Sequence, residues 1–172
     1  MASPVTPHLS LVLRPVRAED ESFLEQVYAS TRAEELAVTD WSEEQKTQFL
    51  RQQFTAQDAH YRAHYPSAEF SVIEREGLPI GRLYVDRWTK EIRIMDIALL
   101  PEHRGAGIGT TLLRELQEEA RAAGKSLSIH VEKFNPALRL YERLGFRPIE
   151  DKEVYLLMEW RASTEGNEGN KG

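Results

Sequence analysis

The stretch ALLPEHRGAGIGTTLLREL, residues 98–116, puts glycines at positions 105, 107 and 109 between an apolar run and a segment of helical periodicity. Glycine there lets main-chain amides turn toward a ligand with no Cβ in the way, at a cost in backbone entropy. A dinucleotide fingerprint needs glycine three residues after Gly107, where this chain has Thr110, and a P-loop needs Lys followed by Ser or Thr, a pair that does not follow Gly109. What remains is a strand, then Arg104-Gly105-Ala106-Gly107-Ile108-Gly109, then a helix whose positive N-terminal end suits a diphosphate. The alternative is that the glycines only let strand and helix pack tightly. Two titratable groups stand in strand patterns: Asp96 between Met95 and Ile97, and His130 before Val131. A carboxylate inside an apolar strand is costly unless hydrated or paired. His60 and His64 stand four apart, but no third metal ligand accompanies them, so a solvated helix face is the better reading and no metal is expected.

The elements that must position these groups follow from periodicity. LSLVLRPV reads as a strand and AEDESFLEQVYAS as a helix with Phe23, Leu24 and Val27 on one face. Ser42 and Gln45 form a capping-box pattern that opens a second helix running toward His64, and Pro66 blocks its continuation. Three strand-like runs follow, AEFSVIER, PIGRLYVDR and EIRIMDIALL, whose short connections imply antiparallel neighbours. Residues 107–123 return to helix with Ile108, Leu112, Leu113 and Leu116 as the buried stripe and Gly124 as the stop. KSLSIHV is a strand, NPALRLYERLGF a short helix with Pro136 in its first turn and Gly145 past its end, and RPIEDKEVYLLMEW a last hairpin or bent strand. The polar, Gly-rich end has nothing to bury, so one domain over 1–161 and a disordered tail over 162–172 are expected.

A length of 172 residues suits one domain with a sizeable core, and 41% apolar with 29% charged residues is ordinary for a globular chain. No apolar run approaches the roughly 20 residues of a membrane span. The N-terminus lacks a basic region followed by an apolar core, and there is no cysteine, which together fit a cytoplasmic enzyme. A net charge of −6 argues against a nucleic-acid partner and favours a neutral or cationic substrate.

At RGAGIG, preceded by DIALLPEH, and at NPALRLYERLGF, the chain resembles the GNAT superfamily of acetyl-CoA-dependent N-acetyltransferases. The first run fits that family's Arg/Gln-x-x-Gly-x-Gly/Ala signature. The second fits its Asn-x-x-Ala-x-x-x-Tyr-x-x-x-Gly-Phe pattern with one shift at the alanine. The similarity is strongest from about Ile80 to Phe146, while residues 31–68 match only as a generic helix pair. It implies an α/β (α+β) fold: a mixed, mostly antiparallel sheet, about four flanking helices, and a splay between the fourth and fifth strands that receives the pantetheine arm. Acetyl-CoA is then the cosubstrate.

Carried onto this sequence, the resemblance puts the amides of Arg104, Gly105, Ala106, Gly107, Ile108, Gly109 and Thr110 on the pyrophosphate, with the Arg104 side chain adding charge. Leu99 binds pantetheine through its main chain, and its amide faces the acetyl oxygen, where charge develops during attack. Asn135 lies near the cofactor arm, and Tyr141 beside the sulfur is the expected general acid, since a thiolate leaving group benefits from a hydroxyl donor. His130 is the first candidate base, at a position where some family members have glutamate, and Asp96 the second. An imidazole with a pKa near about 6.5 can take the proton an alkylammonium must lose. Arg82 and Tyr84, alternating on one strand face, and Glu34, Glu35 and Trp41, with Asp40 in the first helix–helix connection, form the expected acceptor rim for a small-molecule or peptide amine. Exposed edge strands and the last hairpin leave room for a homodimer. Two other readings stay open: an acyl-CoA-binding sensor without catalysis, and a phosphate-binding regulator.

Overall fold

Alternating β-branched and aromatic residues, broken by short polar turns, set out the strands, and capped apolar stripes set out the helices. The computed structural model describes residues 3–6 and 10–163; the tail expected from 162 lies outside the described residues from 164 onward. The order is β1 (Ser3–Thr6), β2 (Leu11–Pro15), a 3-10 turn (Ala18–Asp20), α1 (Glu21–Ala37), α2 (Glu43–His64), β3 (Glu69–Arg75), β4 (Leu78–Arg87) and β5 (Glu91–Leu99). A second 3-10 turn (Pro101–His103), α3 (Ile108–Ala123), β6 (Ser126–Glu132), α4 (Leu138–Arg143), β7 (Arg147–Lys152) and β8 (Tyr155–Trp160) complete it. The fold is mixed α/β, with a mostly antiparallel sheet and, among the described residues, one parallel pair, β5 with β6.

The chain divides into two compact units, Met1–Asp86 with Asp96–Gly109, and Arg87–Met95 with Thr110–Gly172, so that β5 contributes its two halves to different units. In the first unit, β1, β2, β3 and β4 pair antiparallel in sequence order. Leu24 and Tyr28 of α1, Phe54 of α2 and Val72 of β3 make one apolar cluster. The Ser42 capping box forms as expected: the Gln45 amide donates to Ser42 Oγ at 3.1 Å and the Ser42 amide to Gln45 Oε1 at 2.8 Å. In the second unit, the first half of β5 runs parallel to β6, which pairs antiparallel with β8, and β8 with β7. Leu112, Leu113 and Leu116 of α3 are buried as the periodicity predicts, and Gln117 Nε2 donates to Leu144 O at 2.8 Å, closing the last turn of α4.

Three elements differ from expectation. β1 is an additional strand, so the expected fourth and fifth strands are β5 and β6. Helix α1 continues through Arg32, Ala33, Glu34, Glu35 and Leu36 to Ala37, a run of helix formers whose Leu36 is buried, where the sequence reading placed a connection. Helix α4 starts at Leu138, and Pro136 lies in the turn ahead of it rather than in its first helical turn.

The first unit also buries Arg14, placed by β2 alternation under the start of α1. Its NH1 and NH2 donate to the two oxygens of Asp20 at 2.8 and 2.9 Å, and its Nε donates to Glu74 at 2.6 Å. The Arg14 and Asp20 side chains are 8% and 7% exposed. The Arg14 hydrogen bonds hold the Asp20 carboxyl below its ordinary range, outweighing burial, with help from the Arg17 amide. Breaking a buried pair on one side costs roughly 3 kcal/mol or more. Asp20→Asn is therefore expected to lower stability by about 3 kcal/mol in urea melts at pH 7. Because the folded-state pKa is depressed, this contribution is complete above about pH 4 and fades as the pH falls through the folded value. The gap between variant and parent should narrow toward pH 3; a gap that stays constant would remove the pair from the stability of the fold.

Candidate active site

The ladder between β5 and β6 pairs Glu91–Ile94 with Ser126–Ile129 and ends there, short of the C-terminal end of either strand. The second half of β5 stays with β4, and the Leu100 amide donates to Ile80 O at 2.8 Å. Successive peptide groups of a strand face opposite edges, so the Leu99 amide and carbonyl are directed away from β4. On the β4 side the approach is close: a Cβ at Gly81 would stand 2.2 Å from Ala98 O and 3.1 Å from Leu99 Cα. Gly81 therefore seats the strand segment that ends in Leu99. The sequence reading passed over it, because an isolated glycine within a strand does not show what approaches it.

The loop after β5 makes a 3-10 turn in which the His103 amide donates to Leu100 O and the Arg104 amide to Pro101 O. This corrects one expectation: the Arg104 amide is committed within the turn. Its side chain is also engaged, with Nε donating to Leu99 O at 3.0 Å and NH2 to Ser30 Oγ at 3.4 Å. Gly105 and Gly107 take φ values of +79° and +78°, a conformation other residues adopt with strain. Gly109, in the first turn of α3, has no positive φ, and no heavy atom of the described residues beyond its own helix turn lies within 4 Å of where its Cβ would stand. From Ala106 the chain runs through Ile108, which is buried, into the helix. First-turn amides of an α-helix, here including Thr110, have no acceptor within the helix.

Arg82, Tyr84 and Asp96 meet in the first unit. Arg82 and Tyr84 are 2% and 1% exposed, so the expected acceptor rim is here a buried cluster instead. Arg82 NH2 donates to Asp96 Oδ2 at 2.5 Å and to Gln57 Oε1 of α2 at 2.9 Å. The Tyr61 hydroxyl, one turn further along α2, donates to the same Asp96 oxygen at 3.4 Å. Among the described residues, Arg82 Nε and the Tyr84 hydroxyl are buried with no hydrogen bond of good geometry. Gln57 and Tyr61 escaped the sequence reading; their signal is the i, i+4 spacing that puts both on one helix face.

In the second unit His130 stands between two cations, with Nδ1 at 3.4 Å from Arg93 NH1 and Nε2 at 3.1 Å from Lys152 Nζ. Burial, then Arg93, then Lys152 push its pKa below the ordinary imidazole value. A neutral imidazole carries one lone pair and one N–H, so it can accept from only one of these cations, and its proton-accepting nitrogen is committed. Tyr141 is buried at 5% exposure, four residues into α4 counting from Leu138, with its ring 5.6 Å from that of Phe146 in edge geometry. Asn135 shapes the approach to α4: its Oδ1 accepts from the Ala137 amide at 2.8 Å. Glu34 and Glu35 lie on α1, and Glu35 pairs with Arg32 at 3.0 Å, so neither belongs to the connection. Trp41 does, 40% exposed and packed edge-on against Phe49 at 5.0 Å.

Comparison with known proteins adds a second line of observation. A family model described as the Acetyltransferase (GNAT) family matches residues 30–146, more than half of the chain. A Bacillus subtilis (strain 168) protein, provisionally named a ribosomal protein bS18-alanine N-acetyltransferase, is 36% identical over 94 residues, 52% of this chain and 60% of that protein. The streptothricin acetyltransferase of Streptomyces lavendulae is 41% identical over 61 residues, 34% of this chain and 32% of that protein. The chain thus spans less than two thirds of either relative. The crystal structure of the PaiA N-acetyltransferase of Thermoplasma acidophilum in complex with coenzyme A is similar at TM-score 0.67 and 19% identity, over 89% of this chain and 99% of that one, a likeness of fold.

The glycines separate in a stability test. Gly81→Ala must push Ala98 O aside and is expected to cost about 3 kcal/mol, the upper range for overpacking. Gly107→Ala should cost about 1 kcal/mol for its left-handed backbone. Gly109→Ala should be neutral or stabilising by up to about 1 kcal/mol, since alanine is the better helix former. Urea melts of the three variants check the order; equal losses at 107 and 109 would contradict the open space above α3.

Proposed function

Because the chain belongs to the Acetyltransferase (GNAT) family, we propose that it moves an acetyl group from acetyl-CoA to a primary amine, by direct transfer in a ternary complex. The observation that carries this reading is the loop Gly105–Gly109. Two of its glycines are needed for its backbone path, and the third leaves clear space over the first turn of a 16-residue helix. Main-chain donors at a helix N-terminus favour a diphosphate, and coenzyme A carries one. The amides of Gly105, Ala106, Gly107, Ile108, Gly109 and Thr110 are the proposed donors. Arg104 acts chiefly by holding Leu99 O, which fixes the direction of the Leu99 peptide.

The Leu99 amide then serves as donor to the thioester oxygen, whose negative charge grows as nitrogen attacks. The N–C bond forms and the C–S bond breaks; the amine sheds a proton to a base, and the departing sulfur takes one from the Tyr141 hydroxyl. Asn135 keeps the turn that sets α4, and Tyr141 on it, in place. For the acceptor, the names of the relatives span a ribosomal-protein alanine and streptothricin, so a small-molecule or peptide amine is the class proposed, with Trp41 and Asp40 at its entrance.

Thermal unfolding with acetyl-CoA, coenzyme A and ATP tests the reading. A ligand at about 100 times its dissociation constant stabilises by about 2.7 kcal/mol, which for a chain of this size is roughly 5–10 °C. Acetyl-CoA and coenzyme A should give this shift and ATP should not. Thiol release should then depend on the amine offered from a panel. A thermal shift without amine-dependent release would support a non-catalytic acyl-CoA sensor. Tyr141→Phe should lower kcat about 100-fold and leave the acetyl-CoA thermal shift intact.

A further inference from the structure

Asp96 is where three elements of the first unit meet. Its Oδ2 receives Arg82 NH2 from β4 and the Tyr61 hydroxyl from α2, and that same Arg82 nitrogen also donates to Gln57 Oε1, one turn before Tyr61. Helix α2 therefore touches both members of the ion pair. None of these bonds falls on Oδ1. The pair is also lopsided in exposure: the Arg82 side chain is 2% exposed and that of Asp96 16%. An arginine placed for stability usually engages a carboxylate through two parallel bonds. Arg82 instead spends NH2 on two acceptors and leaves buried Nε without a partner among the described residues. Strength is given up, and what is gained is a fixed direction for the carboxylate.

We propose that Tyr61 and Gln57 are positioning residues that, with Arg82, hold one oxygen of Asp96 and present the other, Oδ1, to the acceptor amine as its proton acceptor. The inference rests on the acetyl-transfer reading above. The amine nitrogen bonds to the acetyl carbon as the C–S bond breaks. The ammonium first gives one proton to Asp96 Oδ1, and the freed lone pair attacks. As the C–S bond breaks, the Tyr141 hydroxyl proton passes to sulfur while the second nitrogen proton returns to the Tyr141 oxygen; after release of the amide Asp96 loses its proton to water. Asp96 is met by Arg82 from β4 and Tyr61 from α2, and its charge also acts on Tyr84 of β4; around Arg82 stand Gln57 of α2 and Tyr28 of α1, its ring 5.9 Å from the guanidinium, and Asp58 of α2 acts on Tyr84. Burial, reinforced by the Asp96 charge, pushes the Tyr61 phenol far above its ordinary range, so it remains a donor at every working pH. His130 lacks this arrangement, because both its ring nitrogens face cations.

The test is a set of pH–rate profiles for the full chain with acetyl-CoA and an amine found active in the panel. Tyr61→Phe should lower kcat about 10-fold, leave KM for acetyl-CoA unchanged, and move the acidic limb to higher pH, since a hydrogen bond to the ionised carboxylate is lost. A merely structural role would lower the melting temperature and leave the limb in place. Gln57→Leu is the second variant should Tyr61→Phe fold poorly, with a limb moved from the parent's position expected, since Arg82 NH2 then loses its second acceptor. Asp96→Asn should lose about 100-fold in kcat at pH 7 and recover toward the parent near about pH 10, where the amine is neutral without help. Unmoved limbs in the α2 variants, full turnover of Asp96→Asn at pH 7, or loss of the limb in His130→Ala instead would each overturn the proposal. All of these leave the coenzyme A thermal shift of the parent intact; absence of that shift would sink the acetyl-transfer reading itself.

Discussion

β5 keeps its hydrogen bonds to β4 after its ladder with β6 has ended at Ile94 and Ile129. A main chain that leaves one neighbour must have its polar groups met elsewhere, and the remaining partner has to hold the segment alone. Here that partner comes unusually near. Ala98 O lies where a side chain at position 81 would begin, so only glycine at that point of β4 permits the seat. The rest is geometry that follows from it. With the Leu100 amide on Ile80, the Leu99 peptide groups face the other way, and Arg104 reaches back from the loop to hold the Leu99 carbonyl. One close backbone approach thus fixes the direction of an amide and the exit angle of the glycine loop together.

Two arginines buried in the same unit show how differently a charge can be used. Arg14 places all three guanidinium nitrogens on acceptors: Nε on Glu74, NH1 and NH2 on Asp20, and NH1 also on Pro15 O. Four hydrogen bonds spread over all three nitrogens help offset the desolvation of this buried charge, and they tie β2 to the start of α1. Arg82 is more deeply buried yet leaves Nε unmatched. A buried donor without a partner costs about 1–3 kcal/mol, so the fold tolerates a penalty at Arg82 that it avoids at Arg14. Asp96 is the member of that ion pair with side-chain surface left exposed, 16% against 2% for Arg82.

Local chemistry was readable in the sequence wherever its cause is local. The Ser42–Gln45 capping box, the left-handed Gly124 and Gly145 past their helices, the α3 stripe and the β3–β4 hairpin all stand as the residues alone imply. Boundaries set by packing were less legible: α1 runs on because Leu36 finds a buried place, and α4 starts late because Asn135 takes up the Ala137 amide in a turn. Pairings across elements were hidden altogether. Asp96 reads as an isolated carboxylate in an apolar strand until Arg82, fourteen positions earlier, is seen beside it. His130 reads as an open base until β5 and β7 bring Arg93 and Lys152 to its two nitrogens. Charge–charge encounters of this kind depend on register between strands, which periodicity does not report.

The glycines at 105, 107 and 109 look alike in the sequence and differ in the fold. Positive φ accounts for Gly105 and Gly107 from within the chain: a β-carbon at either would strain the backbone even in open space. Neither conformation nor crowding accounts for Gly109. Its φ is ordinary, no described atom beyond its own helix turn stands within 4 Å of the missing side chain, and alanine would serve α3 better. In the acetyl-transfer reading, the return for this position lies outside the chain. What supplies that return is narrowed by the surroundings: something close enough to a helix N-terminus that a methyl group would intrude, and therefore something drawn to main-chain N–H groups. A ligand bearing a diphosphate meets that description, and a packed side chain does not.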